Sequence, residues 1–504
     1  MPLAEKAIVC ACEDVSVHDV EDAIAHGFGD IESLKRYTGL GTGPCQGKSC
    51  QAGAMRICAA KEAVPPEARV PFRARPPQSP TPVAAYAGLP EEVVAPASGT
   101  RAPSGLRPTW GKGPHPLQPR TALPEHADVV IIGGGIMGLS LAWNLAAQGA
   151  PAQKILVLER GYLCEGASGR NGGGVRATWG TPTLIELAKE SIVFMGRFAQ
   201  ELGINVWLRK GGYLFLANDE EMARRLELGA ELQKRHGLPT RMISPGEAGE
   251  IVPELDTSKF IAASWNAEDG VVFPWPFVWG YADGARKRGV AVETFTRVTG
   301  IETAGGRVRA VQTDRGRVAS DRVVIACGAW SPVVARLAGV ELPNVPYRHE
   351  IVSSEPLKPF LGPLVSNLGT GLYFSQSMRG EIVGGMGDPR EEPGLNQSSS
   401  LRFLARYARA LCEVLPRAGA VKLLRQWAGC YDVTPDHSPV LGETPGVAGL
   451  LQMSGFVGHG FMMAPAVGRR MAAWMGGGKE EIFERFNLRR FAEGRLETET
   501  FIIG

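Results

Sequence analysis

Apolar residues change their period along this chain, and each change marks a new kind of element. Near the start, Ser16–Ala25 spaces its apolar positions as a helix does, with Ser16 as a side-chain cap and Glu21 or Asp22 in the early turns. Ile31–Tyr37 predicts a second short helix, and Gly39–Gly43 breaks it. Over residues 61–126 the pattern dissolves. Proline pairs begin at Pro65 and Pro76, and large apolar residues are few, so this stretch reads as a semi-extended tether with room to pack along a neighbouring surface. From Ala127 onward strands and helices alternate. Asp128–Ile132 is an apolar run ending in glycines, Met137–Ala147 is helical, and Lys154–Glu159 is a second strand. That order predicts a parallel sheet with crossover helices. Gly212–Ala217 and Gly380–Gly385 read as strands of another sheet, and neither repeats nor heptads are found.

Composition adds limits. At 504 residues the chain is long enough for roughly three domains. With 44% hydrophobic and 21% charged residues it has the make-up of a globular protein. A formal net charge of +2 creates no field that would recruit nucleic acid or an acidic membrane. No apolar run reaches the roughly 18 residues of a membrane span. The N-terminus lacks the basic and apolar regions of a signal peptide. A cytoplasmic location is therefore expected. Nine cysteines in that compartment stay mostly reduced, and clustered ones point to metal binding or catalysis rather than disulfides.

The strand Val129–Ile132 enters Gly133-Gly134-Gly135-Ile136-Met137-Gly138, a GxGxxG turn. Gly133 permits the turn, Gly135 lets the backbone approach a pyrophosphate, and Gly138 lets the helix pack on the strand. The helix start, with Ile136 and Met137, offers free N–H groups to phosphates. Glu159 closes the next strand, placed to accept hydrogen bonds from a ribose. The alternative, a purely structural glycine turn, does not account for that context.

Further motifs follow in order: Glu159-Arg160, Gly166–Gly173 with Ser168, Val323–Trp330, Thr434–Gly442 and Gly455–Met462. Together they resemble the D-amino-acid-oxidase superfamily, nearest the branch of sarcosine oxidase β-subunits, opine oxidase, proline and hydroxyproline dehydrogenases, and hydrogen cyanide synthase subunits. The resemblance covers 127–495. It implies FAD, expected to be non-covalent because Gly429 stands where monomeric relatives have a flavin-linking cysteine. A Rossmann-like FAD-binding domain (about 127–205, 275–345 and 420–495) would be interleaved with an α+β substrate domain (about 206–274 and 346–419), the whole spanning 127–504. Arg160, Ser168, Val298, Gly328, Trp330, Gly458, Gly460, Phe461 and Met462 match positions that pass or cradle the cofactor, and Val298 matches one whose backbone reads adenine. A helix opening after Gly458 can stabilise negative charge on a reduced ring.

Residues 1–60 hold five cysteines. Cys10, Cys12, Cys45 and Cys50 form a four-thiol set suited to zinc or an iron–sulfur cluster. The C-x-C pair is tighter than zinc spacing usually is. Thr38–Cys50 resembles the bacterioferritin-associated-ferredoxin-like 2Fe–2S module, which implies a small α-rich iron–sulfur domain ahead of the α/β body. Zinc and a vestigial site are the alternatives. Cys58, Cys164, Cys327 and Cys412 read as buried small hydrophobes.

The resemblance implies an amine substrate whose carbon beside nitrogen gives up a hydride. Arg176 matches an arginine facing the substrate carboxylate, a task its fork suits; the alternative is a bond to a backbone carbonyl or to cofactor. Tyr431 matches a pocket tyrosine, against an ordinary core aromatic. His459 either tunes the flavin or only packs beside it. Arg348, His349 and Tyr373 are weaker pocket candidates. Met462 stands where monomeric relatives have a carboxylate-binding lysine. Gly429 stands where they have a flavin-linking cysteine, with Cys430 beside it. A flavin and a cluster on one chain suggest a dehydrogenase that oxidises a secondary amine or imino acid (sarcosine, D-hydroxyproline, proline or opine type). It would serve an external acceptor, in a hetero-oligomer with an α-type nucleotide- or flavin-binding subunit. The other readings are a glycine-oxidising, cyanide-forming subunit, a non-catalytic electron-transfer subunit and a zinc-stabilised binding module fused to an oxidoreductase.

Overall fold

The run Val129–Ile132 is a strand buried along its whole length, as a strand covered on both faces must be. In the computed structural model, which describes residues 7–69, 71–72, 75–90 and 122–499, this strand is central in a six-stranded sheet. Ile155–Leu158 and Val323–Ile325 flank it, both parallel. Ala291–Glu293 extends one side and Leu450–Ser454 the other, again parallel. Val440–Glu443 ends the second side antiparallel. Three separate stretches of sequence thus share one sheet, and the fold is mixed α/β.

Helix Ile136–Ala147 follows the glycine turn and is buried over most of its length. Helix Gly460–Met475 crosses it, and Ser140 donates its hydroxyl to Ala464 O at 2.8 Å. Pro465 lies inside that second helix and brings no N–H of its own. The next N–H, of Ala466, goes to the Ser191 hydroxyl on helix Pro182–Leu202 at 3.2 Å.

The second large sheet has nine strands. The expected strands at Gly212 and Gly380 are Tyr213–Ala217 and Glu381–Met386, each starting one residue later, after a glycine turn. Helix Leu401–Val414 covers one face, where Val352, Phe374 and Ile382 join its apolar side. Their neighbours in the alternation, His349, Ile351 and Tyr373, face the other way and line a cavity. Thr81–Pro82, within the proline-rich stretch, pairs with Lys422–Val433 at the sheet edge. The short helix Val83–Ala87 then adds Val83 to the core under Leu401–Val414. Of the expected tether, residues 70, 73–74 and 91–121 lie outside the described residues.

The N-terminal unit comprises helices Val17–Ala25, Ile31–Thr38 and Gln51–Lys61 around Val20, Leu34, Leu40 and Phe72. Ser16 caps the first helix as expected. Its acidic partner is Asp19, closer to the cap than Glu21 or Asp22, because the reciprocal bond from Ser16 N (2.8 Å) needs the third helical position. The unit docks on the body through several contacts. Arg36 donates to the Tyr162 hydroxyl at 3.0 Å, Arg379 pairs with Glu13, and Arg425 donates to Thr42 O. Phe28 and Tyr37 pack on Trp279 at 5.0 and 5.5 Å between ring centroids. Among the described residues no helix is long and apolar enough to cross a membrane.

Candidate active site

Gly133 adopts φ +116°, a conformation rarely open to other residues, and a Cβ there would stand 2.3 Å from Ala326 O. Position 133 therefore tolerates no side chain, which lets the turn close against the end of the neighbouring strand. Glu159 receives the N–H of Gly134 at 2.8 Å and of Gly161 at 2.9 Å. Each carboxylate oxygen has a further lone pair for a ribose hydroxyl. Ser168 Oγ accepts the Ile136 N–H at 3.0 Å, at the start of the helix. Thr296 N–H bonds Glu159 O, so the strand that Val298 opens runs beside this loop. The Arg160 guanidinium stacks over Trp330 at 4.3 Å, next to Gly328. These groups fit a dinucleotide laid from Glu159 toward the turn and on to the cavity.

That cavity, about 710 Å³ counting space open to solvent, lies between the nine-stranded sheet and the Gly458–Met462 turn. Arg176, Tyr431 and His459 all line it, and so do His349, Tyr373, Phe461 and Met462. Gly458 has φ +80°, and a Cβ there would strike the Tyr431 ring at 2.3 Å. Tyr431 in turn stacks on His349, 4.4 Å between centroids. His349 Nε2 lies 3.0 Å from the Tyr373 hydroxyl, which also bonds Tyr431. Trp179 meets the His459 ring edge-on at 4.9 Å.

Burial decides the charge states. It pushes His349 down to about 4 and, with help from Arg176, holds His459 well below its usual value. Burial also raises the hydroxyls of Tyr213, Tyr373 and Tyr431, and takes Cys430 up to about 11. Both histidines are thus neutral at neutral pH, and the tyrosines and thiol keep their protons. No carboxylate lines the cavity among the described residues; its charges are Arg170 and Arg176. Arg170 is spoken for by Glu165 O and Ala428 O. Arg176, fully buried, donates to Thr178 O and lies 3.8 Å over the Trp179 ring. It therefore has the backbone bond of the alternative reading as well as access to the cavity.

Arg348 does not reach this site. It neighbours His349 on one strand, so alternation turns it away, to Glu391 (2.7 Å) and Ser398 O (3.0 Å). Cys58 and Cys164 are buried as expected, whereas Cys327 and Cys412 are half-buried, and Cys327 donates to Ile132 O. Sequence reasoning missed Tyr213 and Asp269. Tyr213 was legible as a strand residue, but nothing local places it opposite Arg176.

A second cavity, about 960 Å³, continues along the same sheet face toward the N-terminal unit and shares Asn171 and Gly172 with the first. Lys35, Arg36 and Arg75 face Arg379 and Arg425 across it, with Glu381 the one carboxylate among its described lining. Beyond it lie the N-terminal cysteines. Cys12 neighbours Cys45 and Cys10 neighbours Cys50, and the two pairs feel each other's charge. Backbone N–H groups of Gly47 and Ser49 bond Cys45 sulfur. No three described Cys, His, Asp or Glu side chains converge as ligands of a single metal ion.

Comparison with known proteins adds an independent line. The family model for FAD dependent oxidoreductases matches residues 128–474. At the N-terminus, where the cysteine spacing resembles a ferredoxin-like module, the matching model is the sarcosine oxidase A3 domain, over residues 4–89. The sarcosine oxidase subunit beta of Rhodobacter capsulatus is 32% identical over 75% of this chain and 91% of its own length. The 4-methylaminobutanoate oxidase (formaldehyde-forming) of Paenarthrobacter nicotinovorans is 28% identical over 70% of this chain and 44% of its own. Among solved structures, L-proline dehydrogenase from P. horikoshii superposes with a TM-score of 0.70 at 33% identity, covering 74% of this chain and all of that one.

Proposed function

The chain belongs to the FAD-dependent oxidoreductase family, and from that premise we propose that it is a dehydrogenase of secondary amines or imino acids. Its substrate is of the sarcosine, D-hydroxyproline, proline or opine type. The C–N bond is oxidised to an imine, and electrons leave through a 2Fe–2S cluster to an external acceptor or partner subunit.

The observation that carries this reading is the charge state of the cavity. A cationic Arg176 stands among neutral histidines and protonated tyrosines, with no carboxylate among the described lining to hold an ammonium. Such a site suits an amino acid bound as a neutral amine with an ionised carboxylate. FAD, when bound, supplies the hydride acceptor. The chain's residues bind and orient. Arg176 holds the carboxylate, the Tyr431–Tyr373–His349 row faces the amine, and Phe461 and Met462 exclude water. The proton of an incoming ammonium is left to solvent, since His349 is too weak a base to keep it. His459 lines the cavity that would receive the flavin ring, its Nδ1 without a hydrogen-bond partner among the described residues. Gly133, Gly135, Ile136, Met137, Gly138, Glu159, Arg160, Ser168, Val298, Gly328 and Trp330 would hold the cofactor non-covalently, with Gly458 and Gly460 on the side of its ring.

The cluster assignment rests on Cys10, Cys12, Cys45 and Cys50. A binuclear cluster takes four cysteines shared between two irons, and two coupled thiol pairs suit that better than a single zinc. The amide groups aimed at Cys45 suit a cluster's need for donors to sulfur. The resemblance to a β subunit argues for an α-type partner, and the chain is assigned to the cytoplasm. Iron and sulfide analysis of anaerobically purified protein tests the electron path. Two irons and two sulfides per chain, lost in Cys45→Ser with FAD retained, are expected. One zinc, or faster turnover with oxygen than with a one-electron dye, contradicts it.

A further inference from the structure

We infer that Asp269, which lies outside the cavity, is the positioning residue that holds Arg176 in place for a substrate carboxylate. The inference rests on the reading that Arg176 receives that carboxylate. Asp269 is fully buried in the turn between strands Ala262–Asn266 and Gly270–Val271. Its own carbonyl accepts the Gly212 N–H at 2.8 Å, which ties it to the strand that begins at Tyr213. The pair Gly270–Val271 runs antiparallel to Gly174–Val175, with Gly270 opposite Val175. Asp269 therefore faces the residues just past Val175.

There its carboxylate grips both residues that follow Arg176. Oδ1 accepts the Ala177 N–H at 2.7 Å, and Oδ2 accepts the Thr178 hydroxyl at 3.0 Å. Two contacts that fix the Arg176 guanidinium run through this short stretch: Thr178 O takes its N–H, and the Trp179 ring lies beneath it. Trp179 Nε1 donates back to Arg176 O at 3.1 Å. Burying a carboxylate with no solvent contact is costly unless it is paired and hydrogen-bonded. Burial indeed pushes its pKa up to about 7 against the pull of Ala177, Thr178 and Arg176. An amide would present an NH2 group in place of one of the two oxygens that accept the Ala177 N–H and the Thr178 hydroxyl.

The test uses the full-length holoprotein and needs no turnover. Pyrrole-2-carboxylate and pyrrole are each titrated against the flavin absorbance of wild type, Arg176→Lys, Asp269→Ala, Thr178→Val and Thr178→Ser. Asp269→Ala is expected to weaken pyrrole-2-carboxylate by at least about tenfold, the loss of a charged hydrogen-bond partner. Thr178→Val should weaken it roughly three- to tenfold, the value of one neutral bond. Thr178→Ser restores the hydroxyl and should restore binding. Pyrrole, which has no carboxylate, should bind all variants alike. Should Asp269→Ala fail to fold, the Thr178 pair decides alone. Wild-type affinity in Thr178→Val, a loss shared by pyrrole, or a wild type that ignores pyrrole-2-carboxylate overturns the proposal. An enzyme that oxidises no secondary amine, yet shows the expected binding pattern, sinks the proposed reaction and leaves the role of Asp269 standing.

Discussion

Arg176 and His349 carry opposite burdens in one cavity, and each makes a separate prediction. Arg176 keeps its charge although buried, since a guanidinium does not give up its proton in a protein. Its fork can serve Thr178 O and a substrate carboxylate together. Arg176→Lys keeps the charge and loses the fork. It should raise KM for a carboxylate-bearing amine by roughly 10- to 100-fold, the worth of a charged hydrogen bond, with kcat little changed; steady-state kinetics checks this. His349 is held neutral by burial, down to about 4. Its unfolded counterpart takes up a proton near 6.5. Between those values the unfolded chain binds more protons, so stability rises with pH across that window and is lost as pH falls from about 6.5 toward 4. At roughly 1.4 kcal/mol per pH unit the loss reaches about 3 kcal/mol. His349→Gln should remove that part of the dependence, read as a gap in melting temperature between wild type and variant that changes between pH 7 and pH 4.5. Arg176 and Tyr431 were legible in the sequence because they sit in motifs with a known resemblance. Asp269 was not, because its partner Ala177 is 92 residues away and only sheet pairing brings the two together.

Among the elements, the parallel strands and their helices could be read directly. A buried strand such as Val129–Ile132 writes its burial into four consecutive apolar residues, and a helix writes its period locally. Pairing between distant segments leaves no such mark. Nothing in Thr81–Pro82 announces a sheet edge, since its partner strand Lys422–Val433 lies far along the chain. The Thr434–Gly442 motif is a related case. It was legible as a motif, but its purpose shows only in three dimensions. Asp436 forms a two-pronged pair with Arg490, at 2.7 and 2.9 Å, and Arg490 is wholly buried. Arg490 also donates to Phe486 O and Ser438 O, so the motif fastens the end of the described chain to the six-stranded sheet. Removing one partner leaves a buried charge alone. Asp436→Asn should therefore cost about 3–5 kcal/mol, seen as a lower urea midpoint with the flavin spectrum of the folded fraction unchanged.

Across the whole molecule, the N-terminal unit is seated where the substrate sheet ends. Arg379 and Arg425 tie it to that sheet, Tyr162 to the nucleotide half, and Trp279 to a helix between them. The thiol pairs thus sit on the same chain as the amine cavity, with the second cavity lying between. Under the proposed function, the thiol pairs would give electrons from the cavity an outlet on the same chain. Arg425→Met, which loosens the unit without touching the amine cavity, should slow dye reduction more than it slows bleaching of the flavin by substrate; stopped-flow absorbance separates the two. The central claim is that a secondary amine reduces the flavin of this chain, and anaerobic titration of the purified protein tests it most directly. Sarcosine, proline, D-hydroxyproline and opines would be added in turn while the flavin band is followed. Bleaching by at least one of them, with no response to the matching amine that lacks a carboxylate, is the predicted result. A flavin that stays oxidised with every compound, in protein that still binds pyrrole-2-carboxylate, would contradict it.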